Sequence, residues 1–130
     1  GHLWDECNMG VHFSLTDDWM QNLEKKIPDV LAAGVRVLVY AGENDFICNW
    51  LGNHRWTEAM KWPGKEAFNA ETLQPWTPEG AKEPAGEAKS ANGLTFLKVH
   101  GAGHMVPMDQ PANALDMVNR FLANQPFTGG

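Results

Sequence analysis

The sequence predicts an α/β fold with an incomplete sheet and flanking helices. Three observations carry the prediction. Two short runs, Val35–Tyr40 and Leu94–Val99, are apolar and rich in β-branched residues, as strands covered on both faces are. Helical spacing precedes the first run, separates the two and follows the second. Turn residues stand directly after each run, at Ala41-Gly42-Glu43-Asn44-Asp45 and Gly101-Ala102-Gly103-His104. Two parallel strands offer few neighbours to a segment as apolar as 35–40, so the sheet reads as unfinished.

The elements follow in order. Residues 1–15 show no periodicity and read as loop. Thr16 and Asp17 are N-cap candidates, Asp18 suits a first turn, and Trp19, Met20, Leu23 and Ile27 recur at helical spacing. Pro28 ends that helix and opens a short second one with Val30 and Leu31 inward; Gly34 suits its C′ position. A helix over 49–61 has Trp50, Trp56 and Met60 as apolar anchors. Residues 62–92, with Pro63, Pro75, Pro78 and Pro84, read as a surface excursion holding short strands near Trp76 and at 87–91. Asn92-Gly93 is a hairpin turn signal. Pro111 opens a last helix with Ala114, Leu115, Val118, Phe121 and Leu122 on one face.

Composition narrows the function classes. The 130 residues are 43% hydrophobic and 20% charged, which excludes a disordered tail and a collagen-like repeat. The longest apolar run, Val37 to Ala41, is too short to cross a bilayer. Ten Lys and Arg against sixteen Asp and Glu give a net charge of -6, with no basic block. Nucleic acid is therefore a poor partner. Cys7 and Cys48 make no disulfide framework, and no spacing suggests a metal site. Two readings of the cysteines stand: both are buried free thiols, or one pairs outside this chain.

Two residues stand out for chemistry. Asp45 lies past the carboxyl end of the first strand and His104 past that of the second, where open α/β sheets gather functional residues. Acid then His is also the second half of the α/β-hydrolase order Ser, Asp, His. A carboxylate beside imidazole fixes the tautomer and stabilises the imidazolium. The plain alternative is a turn-forming Asp and an exposed loop His. His2, His12, His54 and His100 have no carboxylate similarly placed and read as surface.

The wording around the two residues is more specific. Val37–Asn53, with its Asp-x-Ile-Cys-Asn-x-x-Gly-Asn string, resembles the triad-acid segment of the serine carboxypeptidases, closest to carboxypeptidase Y-like members. Gly101–Pro111, with Gly-x-Gly-His-Met-Val-Pro, resembles their triad-histidine segment. Cys7-Asn8 and Asp18-Trp19-Met20 resemble the stretch ahead of the acid. The resemblance covers nearly the whole chain and is weakest in 62–90. It implies that residues 1–130 are the C-terminal segment of a single α/β-hydrolase domain whose nucleophile-bearing part is absent.

By that resemblance Asp45 is the triad acid and His104 the base. Met105 lines the pocket for the departing C-terminal residue, and Cys48 is a free thiol near the acyl-side pocket. Cys7 pairs in a disulfide with an earlier cysteine outside this chain, which allows a disulfide-linked N-terminal chain as partner. The implied substrates are peptide and protein C-termini. The implied compartment is vacuolar, lysosomal or secreted, and neither cofactor nor metal is implied. Ser14 and Ser90 are the only serines, and neither lies in Gly-x-Ser-x-Gly. The isolated chain is therefore expected to be inactive. The alternatives are a related acyltransferase and an inert fragment or interaction module.

Overall fold

The computed structural model describes residues 3–19 and 21–128; His2 and Met20 lie outside them. Four strands form one mixed sheet: β1 (Val37–Gly42), β2 (Gln74–Trp76), β3 (Gly86–Ala91) and β4 (Leu94–Val99), in the order β1-β4-β3-β2. β1 and β4 are parallel, with Val37 opposite Leu94 and Gly42 opposite Val99. The turn at Asn92-Gly93, both residues at positive φ, folds β3 antiparallel onto β4. β2 adds antiparallel to β3.

Period-two alternation divides the apolar residues between two faces. Leu38, Leu97 and Val99 pack on one side with Trp76, Ala88, Val106, Met117 and Phe121. Val37, Val39, Leu94 and Phe96 pack on the other with Ile27, Leu31, Trp50, Trp56, Met60 and Phe68. Helix α6 (Pro111–Ala123) covers the first face; α2 (Ile27–Ala32), α3 (Trp50–Ala59) and α4 (Lys65–Ala70) supply the second. The remaining helices are α1 (Met9–Ser14) and the short α5 (Val106–Asp109). Among the described residues no helix is long and apolar enough to cross a membrane.

Several local expectations are corrected. The stretch before residue 16 is not all loop, because Asn8 caps α1 by accepting from the Val11 amide at 3.0 Å. Thr16 opens no helix; its hydroxyl donates back to the Phe13 carbonyl. The cap that works is Asn22, ahead of a 3-10 turn at Leu23–Lys26 that runs into α2. Residues 62–92 are not confined to the surface. They supply α4, β2 and β3, and Phe68 and Trp76 are fully buried. Trp76 can be buried because its indole donates to Asp116 Oδ2 at 3.0 Å. The apolar residues of α6 divide, with Ala114 buried, Met117 and Phe121 packed on the sheet, and Leu115, Val118 and Leu122 exposed. β1 is covered on both faces, yet β4 is its one neighbour among the described residues, so Val37–Val39 are only half-buried.

His54 is also not a surface residue. Its ring lies 4.9 Å from that of Phe96. Its Nε2 is buried 3.3 Å from Glu58 Oε1 without forming a hydrogen bond. The buried Lys89 ammonium takes the same oxygen at 2.7 Å, above the Phe68 ring. Burial pushes the His54 pKa below its ordinary value; Lys89 adds to this and Glu58 opposes it. The unfolded chain therefore binds the proton first as pH falls, and stability drops below about pH 6.5.

Two outcomes are expected. The thermal midpoint should fall from pH 7.5 to pH 5, and His54→Gln should flatten part of that slope; parallel curves would refute the His54 contribution. Gly42→Ala should destabilise by about 1–3 kcal/mol in chemical denaturation, as overpacking does. A Cβ there would overlap the Ala102 and Gly103 carbonyl oxygens, which cannot move aside as a side chain can. An unchanged midpoint would contradict that packing.

Candidate active site

β1 and β4 end side by side, and their following loops are joined by backbone bonds. The Glu43 amide donates to Val99 O at 2.8 Å, and the Asn44 amide to Ala102 O at 2.9 Å. Gly101 sits at φ 63°, a conformation that favours glycine. Glycine at 42 allows the two backbones to approach this closely. Asp109 Oδ2 accepts the Gly103 amide at 2.7 Å and fixes the loop that carries His104.

The result is an acid–imidazole pair. Asp45 Oδ2 lies 3.0 Å from His104 Nδ1. The other oxygen, Oδ1, accepts the Cys48 amide at 3.0 Å. The Asp45 side chain is 6% exposed and the His104 side chain 59%. The Cys48 amide, and secondarily His104, hold the Asp45 pKa below its ordinary value against the opposing effect of burial. With an ionised carboxylate at Nδ1, that nitrogen is the donor. Nε2 is then the ring nitrogen free to accept a proton from a group above the pair. The arrangement can serve general acid–base chemistry.

Cys48 joins this cluster. Its Sγ, an Asp45 oxygen and a His104 nitrogen lie within 4.8 Å of one another. This proximity involves the same atoms that make the acid–imidazole pair. Cys48 is exposed, so the buried-thiol reading is corrected for it. Met105 follows His104 and is exposed beside it. Cys7 is exposed ahead of α1, free and apart from the cluster, which corrects the buried-thiol reading there too. Ser14 donates to the Gly10 carbonyl within α1, and Ser90 pairs with Thr95 Oγ1 on the sheet. Neither serine bonds to His104.

Sequence reasoning missed two loop anchors. Asp109 holds the Gly103 amide, and Glu43 Oε2 accepts the Gly101 amide at 3.3 Å. The available signal was an acid beside each glycine-rich turn, whose amides need acceptors once strand pairing ends.

Comparisons with known proteins point to one family. A family model described as serine carboxypeptidase matches residues 1–124. The chain is 46% identical over 126 residues to carboxypeptidase Y homolog A of Chaetomium globosum, covering 95% of this chain and 23% of that protein. It is 53% identical over 115 residues to a serine carboxypeptidase-like protein of Oryza sativa subsp. japonica, covering 88% of this chain and 26% of that one. The crystal structure of Kex1(delta)p, a prohormone-processing carboxypeptidase from Saccharomyces cerevisiae, aligns with a TM-score of 0.80 at 26% identity. That alignment covers 93% of this chain and 26% of the yeast chain. The chain thus spans about a quarter of the length of these relatives. Its four-stranded sheet and helices are part of an α/β-hydrolase fold. With its two loop motifs, their shared geometry and a family match over 1–124, the chain belongs to the serine carboxypeptidase family.

Proposed function

We propose that this chain is the C-terminal segment of a single α/β-hydrolase domain and supplies the acid and base of a serine-type carboxypeptidase. The observation that carries the reading is the Asp45–His104 pair at the carboxyl ends of adjacent parallel strands. A serine outside this chain attacks the last peptide carbonyl of the substrate. Its proton passes to His104 Nε2, and the C–O bond forms as the carbonyl electrons move to oxygen. Collapse of that intermediate breaks the C–N bond, and His104 returns the proton to the departing amino acid. Water then repeats the cycle on the acyl-enzyme. Asp45 keeps its charge throughout and orients the imidazole.

The surface supports the segment reading. On α6, Asp116 and Arg120 face the β2 side, where they bond Trp76 Nε1 and the Thr77 carbonyl. Helical geometry sets Leu115, Val118 and Leu122 on the opposite flank, above the open edge of β1. An open strand edge beneath an exposed apolar stripe fits continuation of the sheet and its helices. The Ser-bearing part of the same domain is the proposed neighbour. Met105 lines the pocket for the departing residue, and Cys48 borders the acyl side. Cys7 forms a disulfide to that neighbour. The proposed setting is vacuolar, lysosomal or secreted, where such a bond persists.

In the complete enzyme, His104→Ala should abolish release of C-terminal residues from peptides while substrate binding remains. Retained turnover would remove His104 from the role of base. Asp45→Asn should lower kcat by about 10⁴, the size seen when the corresponding acid is changed in a serine protease; a loss below about tenfold would leave Asp45 a turn residue. The folded Asp45 carboxyl should titrate below its ordinary value of 3.8. Its stabilising contribution is thus full above that value and is lost as pH falls through the lower, folded one. A carbon-13 titration with its midpoint above 3.8 would contradict this. For Cys7, intact mass of native material should show a larger species that releases this chain on reduction. The same mass with and without reductant would exclude a disulfide to a separate chain.

A further inference from the structure

We propose that Asn53 is a positioning residue for the acid–base pair, joining it to the core through Trp56. The inference rests on the catalytic reading of Asp45 and His104 and adds a residue behind them. Asn53 stands in the first turns of α3, after the Asn49 cap, whose Oδ1 accepts the Gly52 amide at 2.8 Å. Its side chain turns back along the chain. Asn53 Nδ2 donates to the Cys48 carbonyl at 2.9 Å and to the Asn49 carbonyl at 3.1 Å. Asn53 Oδ1 accepts Trp56 Nε1 at 2.9 Å. Trp56 packs with Leu94, Phe96 and Met60 on one face of the sheet.

Cys48 is thereby held at both of its backbone groups. Its carbonyl is fixed by Asn53 and its amide by Asp45 Oδ1. The hydrogen bonds run unbroken from Trp56 through Asn53, Cys48 and Asp45 to His104. Without Asn53, residues 46–48 lose their tie to α3. Phe46 and Ile47 are strongly exposed and offer little packing in its place. The Cys48 amide then drifts from the carboxylate, Asp45 loses its main source of acidity, and His104 loses its fixed direction. A shift of about 1 Å at such a group costs on the order of 10²-fold in rate.

The test uses the complete enzyme. Asn53→Ala should lower kcat by about 10- to 100-fold. The carbon-13 titration midpoint of Asp45 should rise toward the ordinary carboxylate value. Trp56→Phe keeps an aromatic ring and removes the indole donor. It should move both readouts in the same direction by less, and it carries the test if Asn53→Ala does not fold. Asn69→Ala is the control. Asn69 bonds the Glu58 carbonyl at the far end of α3, so its loss should lower the melting point and leave the Asp45 titration unmoved. An unchanged Asp45 midpoint in a folded Asn53→Ala enzyme overturns the proposal, as does an equal shift in Asn69→Ala. The titration needs no turnover. An unaltered enzyme without peptidase activity would therefore sink the catalytic reading while leaving Asn53 to be judged separately.

Discussion

Parallel register between β1 and β4 ends with Gly42 beside Val99, and both strands release their loops at the same end of the sheet. The meeting of Asp45 and His104 follows from that pairing. The loops are bonded to each other directly, through Glu43 to Val99 and Asn44 to Ala102. A side chain at residue 42 would separate them. Asp45 and His104, 59 residues apart in sequence, then meet without a long side chain reaching across.

The packing that holds this pair is asymmetric. Both faces of the sheet are covered by apolar clusters, and on the β2 side Trp76 is tied to α6 through Asp116 and Arg120. The β1 side is open, with half-buried strand residues under the exposed stripe of α6. The acid–base pair therefore spans the edge strand, which carries Asp45, and its inner neighbour, which carries His104. Its rigidity comes from local clamps: Cys48 on Asp45, Asp109 on the His104 loop, and the α3 cap behind them. Such clamps are backbone amides held by side-chain oxygens, and each satisfies a donor that strand pairing leaves free.

Much of this was legible in the sequence. The two parallel strands, the Asn92-Gly93 turn, the Pro111 helix start and the Asp45–His104 pair follow from apolar runs, turn chemistry and two motifs, although β1 runs over Val37–Gly42, two residues later than its apolar run, and takes in Ala41 and Gly42, which read as turn. The unreadable parts have physical reasons. Thr16 and Asp17 read as caps, yet the cap falls at Asn22, ahead of the turn that leads into the packed Ile27 and Leu31. Trp76 stands among prolines, where nothing local shows that Asp116 will satisfy its indole and allow burial. Ala114, Leu115, Val118, Phe121 and Leu122 of α6 read as one stripe, yet Leu115, Val118 and Leu122 are exposed. His54 reads as surface because the ion pair that buries it joins residues 31 positions apart. Asn53 lies in a quoted motif, but its role depends on the direction of a side chain, which spacing does not give.

The central claim is that His104 serves a serine outside this chain. The most direct measurement is the rate at which a fluorophosphonate modifies that serine in the complete protein, before and after His104→Ala. A base that accepts the proton is what makes such a hydroxyl reactive, and His104 is the proposed base. The account predicts rapid, stoichiometric modification of one serine in the unaltered protein and a rate at least about 100-fold lower in the variant. Equal rates in the two proteins would contradict it.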